Sequence, residues 1–359
     1  MITTLVESVH AVPAAEWERL ARPAGLYLSH RWLAGEEADP TADAAYALVR
    51  DDDGTLLAAA PLYVVHEEPN DAYRPAGLLP PPHEPRVIAG ARRGYRNTPL
   101  TAPGLDAVRR GACLALLRDA ARALADRNGT VHWWPYLTAQ AAARLSPLYP
   151  GDPLHLEDDA LIPLPGADFE AYVASLPSRR RVGVRRERRE FGAAGLDVRH
   201  LALADCAEDA GILLAGHQQD HGHDGDGADA MTGLLKRQAA SMGDAARVVA
   251  AYAGRHMVGF CLYYHYAATT WIRAVAVDRT RPAPHLYFNL MYYLPVEDAY
   301  AHGTRALHAG MTTVEAKRRR GAVISPLYAL TDRPLPAAGA PSSSRGGGPC
   351  GEQSGSVPR

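Results

Sequence analysis

The sequence predicts an α/β protein built from two copies of one unit, and three observations carry that reading. The chain has 359 residues, more than a single hydrophobic core accommodates. A strand-turn-strand pattern occurs twice, as YALVRDDDGTLLAAAPLYVV over residues 46–65 and RVVAAYAGRHMVGFCLYYH over residues 247–265, with Gly54 and Gly254 at the turns. Each hairpin follows a stretch with helical spacing and precedes further strand and helix material.

Around the first copy, residues 15–36 supply helices, Arg109 to Arg127 is an Ala- and Leu-rich helix, and Thr130 to Trp134 (TVHWW) is a strand. Around the second, helices fall within Asp205 to Met242. Trp271 to Asp278 (WIRAVAVD) is a third strand, His285 to His302 an amphipathic helix, and Arg305 to Ala309 (RALHA) a short strand. Pro, Gly and Asp cluster in PLYPGDPLHLEDD (147–159), which reads as a linker. The expected units are therefore residues 1–155 and 156–332, each a mixed sheet containing an antiparallel hairpin flanked by helices. From Arg333 onward, sixteen of 27 residues are Pro, Gly or Ser, a composition that cannot bury enough surface to order itself and is expected to form a disordered tail.

Hydrophobic residues make up 47% and charged residues 22%, which excludes a disordered chain, a collagen-like repeat or a coiled-coil rod. No run of 18 apolar residues and no signal-peptide pattern occurs, so a cytoplasmic protein without a membrane span is expected. The four cysteines are scattered without a CxxC pair, against a disulfide framework or zinc knuckle. G-x-S-x-G, Walker A and G-x-G-x-x-G motifs are absent, which removes serine hydrolase, ATP and dinucleotide chemistry.

The net charge of -2 conceals local concentrations of arginine. Arg179 to Arg189 (RRRVGVRRERR) holds seven arginines and one glutamate, and Lys317 to Arg320 forms a second basic block. Arginine's planar fork suits bidentate phosphate contact.

The repeated α/β unit resembles the GNAT acyltransferase fold, and its tandem arrangement is similar to the FemAB-like branch. Two segments carry the likeness. FEAYVASLPSRRRVGVRRERREF (169–191) has an aromatic-led helix, a turn and a basic helix, and HAGMTTVEAKRRRG (308–321) ends in K-x-x-R-G, here Lys317, Arg320 and Gly321. The resemblance covers most of residues 15–331 and implies two tandem GNAT-like domains, with transfer of an acyl or aminoacyl group to an amine.

Acetyl-CoA users carry a glycine-rich loop whose amides hold pyrophosphate at a helix N-terminus. The corresponding stretch here, DRTRPAPHLYFN (278–289), has no glycine. The expected donor is therefore aminoacyl-tRNA bound by its acceptor end, with a small amine or amino-acid-like acceptor and no resident cofactor. Acyl-CoA as donor is the alternative, and a non-catalytic module binding nucleic acid or an anionic precursor is a third reading.

Lys317 and Arg320 are the expected catalytic cations, with His308, on the strand leading into them, as a catalytic candidate. Arg180, Arg181 and Arg185 are expected to grip phosphate. HQQDHGHDGDGAD (217–229) has three histidines and four aspartates but lacks the zinc H-E-x-x-H and calcium-loop patterns, so no metal is expected there and His217 and Asp220 belong to a substrate-side lid. Tyrosine outnumbers phenylalanine 17 to 4, and Tyr264 and Tyr287 are the expected pocket tyrosines.

Overall fold

The computed structural model describes residues 1–79, 84–220 and 227–333. Its strands are β1 (Ile2–Val6), β2 (Ala42–Arg50), β3 (Leu56–Val65), β4 (Val87–Ala89), β5 (Leu100–Thr101), β6 (His132–Thr138), β7 (Leu154–Pro163), β8 (Asp197–Ala202), β9 (Ala246–Ala253), β10 (His256–Tyr266), β11 (Thr269–Val277), β12 (Ala306–Met311) and β13 (Val323–Thr331). They join in one sheet ordered β1-β2-β3-β4-β6-β13-β7-β12-β11-β10-β9-β8, with β5 paired to β3.

That order is a palindrome. From either edge inward come an edge strand, the predicted hairpin and a third strand, followed by a parallel fourth partner: β4 with β6 in one half, β11 with β12 in the other. At the centre the last strands are exchanged. β7, which follows β6 in sequence, pairs with β12, whereas β13, which follows β12, pairs with β6; β7 and β13 also pair with each other.

Both parallel pairs come apart after a few residues. β11 and β12 are in register only from Thr269↔Ala306 to Trp271↔His308, and β4 and β6 only at Val87↔His132 and Ile88↔Trp133. Their far ends meet at the middle of the sheet: Thr138 opposes Leu327, Leu327 opposes Glu157, and Met311 opposes Asp159 two residues along the same strand.

Alternation along the strands feeds cores on the two faces. On β2, Tyr46 and Leu48 enter a core shared by both halves, while Ala45, Ala47 and Val49 face a core beneath the helix Ala107–Arg127. The shared core holds the helices Ala14–Ala21, His30–Glu36, Leu203–Asp220 and Ala228–Met242. Edge-to-face pairs Tyr27–Trp271 and Trp32–Tyr264, at 5.5 and 5.7 Å between ring centroids, cross between the halves. The opposite face of the second half packs on the helices Phe169–Ser175 and Ser178–Gly192 and on the segment 286–301.

Three expectations change. The stretch read as a linker contains β7, and the 155/156 boundary falls inside it; its acidic LEDD looks like a turn because the partners that allow burial of Asp159 are remote in sequence. The helix expected over 285–302 is broken into Leu286–Phe288, a π-helical turn Asn289–Tyr293 and Leu294–Ala301, with Pro295 at the start of the last piece. Edge strands β1 and β8 were not anticipated. The expected tail from Arg333 lies, beyond that first residue, outside the described residues.

One glycine fixes a helix contact. A Cβ on Gly211 would stand 2.2 Å from Thr232 Oγ1 and 2.7 Å from the Thr232 backbone, so the helices Leu203–Asp220 and Ala228–Met242 approach closely only without a side chain there. Gly211→Ala should lower stability by about 1–3 kcal/mol, measured by urea unfolding. An unchanged midpoint would show that the helices reseat freely.

Candidate functional site

Where the parted strands meet, a cleft of about 550 Å³ is lined by Asp71, Arg74, Tyr136, Glu157, Met311 and Thr312, among others. The backbone around it is unusual. Six non-glycine residues have positive φ among the described residues, and Arg96, Tyr136, Thr312 and Thr313 are four of them. Such conformations cost free energy and persist where surrounding contacts over-determine them, which happens most often at functional sites.

Beneath the cleft lies a buried charge network. Asp159 of β7 receives the Arg96 guanidinium at 2.6 Å on one oxygen and His308 Nε2 of β12 at 2.6 Å on the other. Both Asp159 and His308 side chains are fully buried. Burial pushes the Asp159 carboxyl up, but the charges and hydrogen bonds of His308 and Arg96 outweigh it and hold the group below the ordinary carboxylate range. Trp271 lies over the His308 ring at 4.5 Å and Tyr95 at 6.2 Å.

Lys317 comes from the short helix Val314–Arg318 that follows β12. Its side chain is buried, and Nζ donates to the carbonyls of Gly310 at 3.0 Å and Met311 at 2.5 Å. An ammonium has three donors, so these two bonds tie it to the backbone behind the cleft-lining Met311 and leave one. Burial lowers its pKa to about 8, with Asp159 and Glu157 partly opposing the drop.

The remaining expected residues distribute unevenly. Arg320 is also buried, but its guanidinium bonds the Ala316 carbonyl, pairs with Glu187 at 3.3 Å and lies 3.8 Å over Phe288 and 4.7 Å over Tyr292. Enclosed by aromatics, it holds the end of the basic segment against the second-half core. His308, expected as a catalytic candidate, is sealed from solvent and spends Nε2 on Asp159.

Tyr264 is wholly buried, with its hydroxyl on Gln238 at 3.0 Å; it is a core residue and not a pocket tyrosine. Tyr287 is half-buried and packs on the second-half core beside Phe288, also apart from the residues lining the cleft. His217 and Asp220 close the helix Leu203–Asp220, while residues 221–226 of the expected lid lie outside the described residues.

The basic helix Ser178–Gly192 divides its arginines between packing and exposure. Arg181 donates to the Leu176 carbonyl at 2.9 Å, Arg185 pairs with Glu170 at 2.8 Å, and Arg188 pairs with Glu297 at 2.5 Å. Arg179, Arg185, Arg186 and Arg189 are exposed and Arg180 is half-exposed, so the helix presents a basic surface. Sequence reading missed Asp159, Arg96, Tyr95 and Glu157. The only available signal was an acidic run in a supposed linker and an arginine-tyrosine cluster at 92–96.

Acidic groups stand at the starts of both helices that follow a parted strand: Asp106 caps the helix Ala107–Arg127 by accepting from the Arg109 amide at 2.8 Å, and ahead of Leu286–Phe288 the ring of His285, in the left-handed region, pairs with Glu190 at 2.8 Å.

A palindromic sheet of two such halves, parted at a central cleft, defines the protein as a tandem GNAT-fold chain. Residues 165–332, just under half of the chain, match the FemAB-like family, described as peptidoglycan biosynthesis/recognition. No curated protein matches it.

Among solved structures it is similar to FemX, at 11% identity and TM-score 0.64 over 92% of this chain and 97% of that one. It is similar to a tandem GNAT protein from the clavulanic acid biosynthesis pathway at 13% identity and TM-score 0.56, over 93% and 100% of the two chains. The C-terminal domain of a putative lysylphosphatidylglycerol synthetase from Agrobacterium fabrum matches at 12% identity and TM-score 0.55, over 89% and 92%. Among the described residues, no helix is long and apolar enough to cross a membrane.

Asp159→Asn leaves Arg96 and His308 facing a neutral group and should cost about 3–5 kcal/mol. Because the native carboxyl is held below its unfolded pKa, its contribution is present above that unfolded value and is lost as pH falls through the native one. Urea unfolding at decreasing pH should therefore show wild type approaching the variant at acid pH. A constant gap between the two would contradict this.

Proposed function

We propose that the protein transfers an aminoacyl group from aminoacyl-tRNA to an amine held in the central cleft. The observation that supports this best is the Lys317 ammonium, buried and bonded to the carbonyl of Met311, a residue that lines the cleft together with Glu157. The ammonium faces the place where negative charge would develop, and Glu157 offers a carboxylate to an amine-bearing acceptor.

In this scheme the acceptor nitrogen, as free amine, attacks the ester carbonyl carbon. The carbonyl oxygen gains negative charge beside Lys317, the bond to the ribose oxygen breaks, and the proton lost by the nitrogen passes to that oxygen. An aminoacyl ester is already activated, so most of the acceleration comes from placing the reactants and from a fixed positive charge. Asp159, held by Arg96 and His308, ties β7, which carries Glu157, to β12, which leads into the helix of Lys317. The exposed arginines at 179, 180, 185, 186 and 189 supply the surface for the tRNA backbone, with salt-sensitive binding. The absence of a glycine loop, together with acidic groups at both helix starts, favours this donor over acyl-CoA.

The direct test is amide formation from a mixed aminoacyl-tRNA pool, with and without RNase, beside a parallel assay with acyl-CoA. Turnover abolished by RNase is expected; turnover with acyl-CoA that RNase leaves intact would overturn the donor. Lys317→Met should lower kcat by about 10²–10³-fold with little change in tRNA affinity. Because Lys317 acts here as a cation with a pKa near 8, the rate should fall as pH rises above that value. A rate that climbs through pH 8 would instead make Lys317 a base.

A further inference from the structure

A second cluster of titratable groups lies on the other face of the sheet from the cleft. Trp271 of β11 touches His308; the next side chain back, Thr270, points to the opposite face and bonds His265 Nδ1 at 3.0 Å. His265 Nε2 lies 2.9 Å from Asp298 Oδ2, and Tyr263 donates its hydroxyl to the same oxygen at 2.8 Å. His302, one helical turn beyond Asp298, stacks its ring on His265 at 3.9 Å with Nδ1 3.7 Å from Asp298 Oδ1. Ligand atoms of His265, Asp298 and His302 all lie within 4.8 Å of one another.

The hydrogen-bond directions restrict what can occupy the centre of this group. Thr304 Oγ1 donates to the Ala299 carbonyl at 3.0 Å, so its one proton is used. Thr270 Oγ1, 2.8 Å away, must therefore donate to Thr304, and His265 Nδ1 must donate to Thr270. In the neutral ring the remaining nitrogen, Nε2, then turns a lone pair toward a carboxylate oxygen 2.9 Å off. Two acceptors at that distance require a cation between or on them, either a proton or a metal ion.

We propose that His265, Asp298 and His302 form a binding site for a divalent transition-metal ion of the zinc type. Nitrogen and oxygen ligands bind zinc at about 2.0–2.2 Å, which puts tetrahedral ligands roughly 3.3 to 3.5 Å apart. His265 Nε2 lies 2.9 Å from Asp298 Oδ2 and His302 Nδ1 3.7 Å from Asp298 Oδ1, so both carboxylate oxygens are within reach of an ion, and His302 must turn out of its stack on His265 to aim its in-plane lone pair at that ion. The outer shell is in place as well: His265 Nδ1 is held by Thr270, and Tyr263 supports the carboxylate, as metal-ligating His and Asp require. His302 Nδ1 also contacts the Asp298 carbonyl at 3.1 Å, so this partly exposed ring releases that contact, by turning or shedding its proton, when it ligates. Its exposure at the surface gives the ion an entry path and leaves coordination positions for solvent. The bound ion would clamp the helix Leu294–Ala301 to β10, across the sheet from the transfer cleft.

The test uses the full chain, stripped with chelator and titrated with Zn2+ by calorimetry and with Co2+ by visible absorption. Wild type should bind one equivalent, develop a Co2+ band of four- or five-coordinate intensity and rise in thermal midpoint. His302→Ala removes a surface ligand and should fold as before, yet weaken Zn2+ binding at least tenfold and lose the band; Asp298→Asn should do the same. His221→Ala/His223→Ala, in the histidine-rich stretch of the sequence at 217–229, should leave binding unchanged. No one-equivalent binding, equal binding by His302→Ala, or binding that follows His221 and His223 would each overturn the site, the first leaving a proton as the cation shared by His265 and Asp298.

Discussion

A carboxylate buried in the middle of a sheet needs partners that recover what it loses on leaving water, and Asp159 finds one partner in each half. Arg96 comes from the loop ahead of β6, and His308 comes from β12. Much of the architecture follows from satisfying this one group. β7 must lie beside β12, away from the strand it follows in sequence, so β13 is left to fill the place beside β6. The parted ends of β6 and β12 are thereby brought to adjacent rows, and the cleft opens over them. Arg96 reaches the carboxylate from a left-handed backbone conformation, which the network holds in place.

Lys317 illustrates a related balance of terms. An ammonium moved from water into this position loses hydration that two carbonyls only partly replace, hence its lowered pKa, while nearby acidic groups keep it from falling further. The result is a cation that releases its proton near pH 8, well below the lysine range. Arg320, three residues on, is buried too but sits against aromatic faces and Glu187. The two neighbouring cations thus differ in what surrounds them, and only the first bonds a residue that lines the cleft.

The hairpins, the third strand of the second half and the long helix of the first were legible because each is a local pattern: apolar runs at period two, a glycine turn, or an Ala- and Leu-rich stretch. β7 was not, because a strand containing Glu157, Asp158 and Asp159 looks like a turn until His308 and Arg96 are placed beside it. The same limit governed the site. Lys317 stood out through its motif, whereas Asp159 and Glu157 acquire meaning only from pairing across 149 and more residues. Tyr264 misled for the converse reason: a tyrosine reads equally well as a pocket wall or as a core residue with one hydrogen bond, and Gln238 decides it. The histidine-rich stretch at 217–229 drew attention by composition, while the three-residue cluster of His265, Asp298 and His302 is dispersed over a strand and a helix and has no sequence signature.

The exchange of β7 and β13 also sets the order in which the molecule can be completed during synthesis. β13 follows every other strand in sequence, and it lies between two strands, β6 and β7, that emerged from the ribosome long before. Until it arrives, β6 and β7 each expose an unpaired edge at the centre of the sheet, the kind of edge that invites pairing with another chain. Loop closure over more than 150 residues makes that last insertion slow compared with the hairpins. The final step of folding therefore assembles the cleft as well, so that a chain with a complete cleft is one that has finished folding.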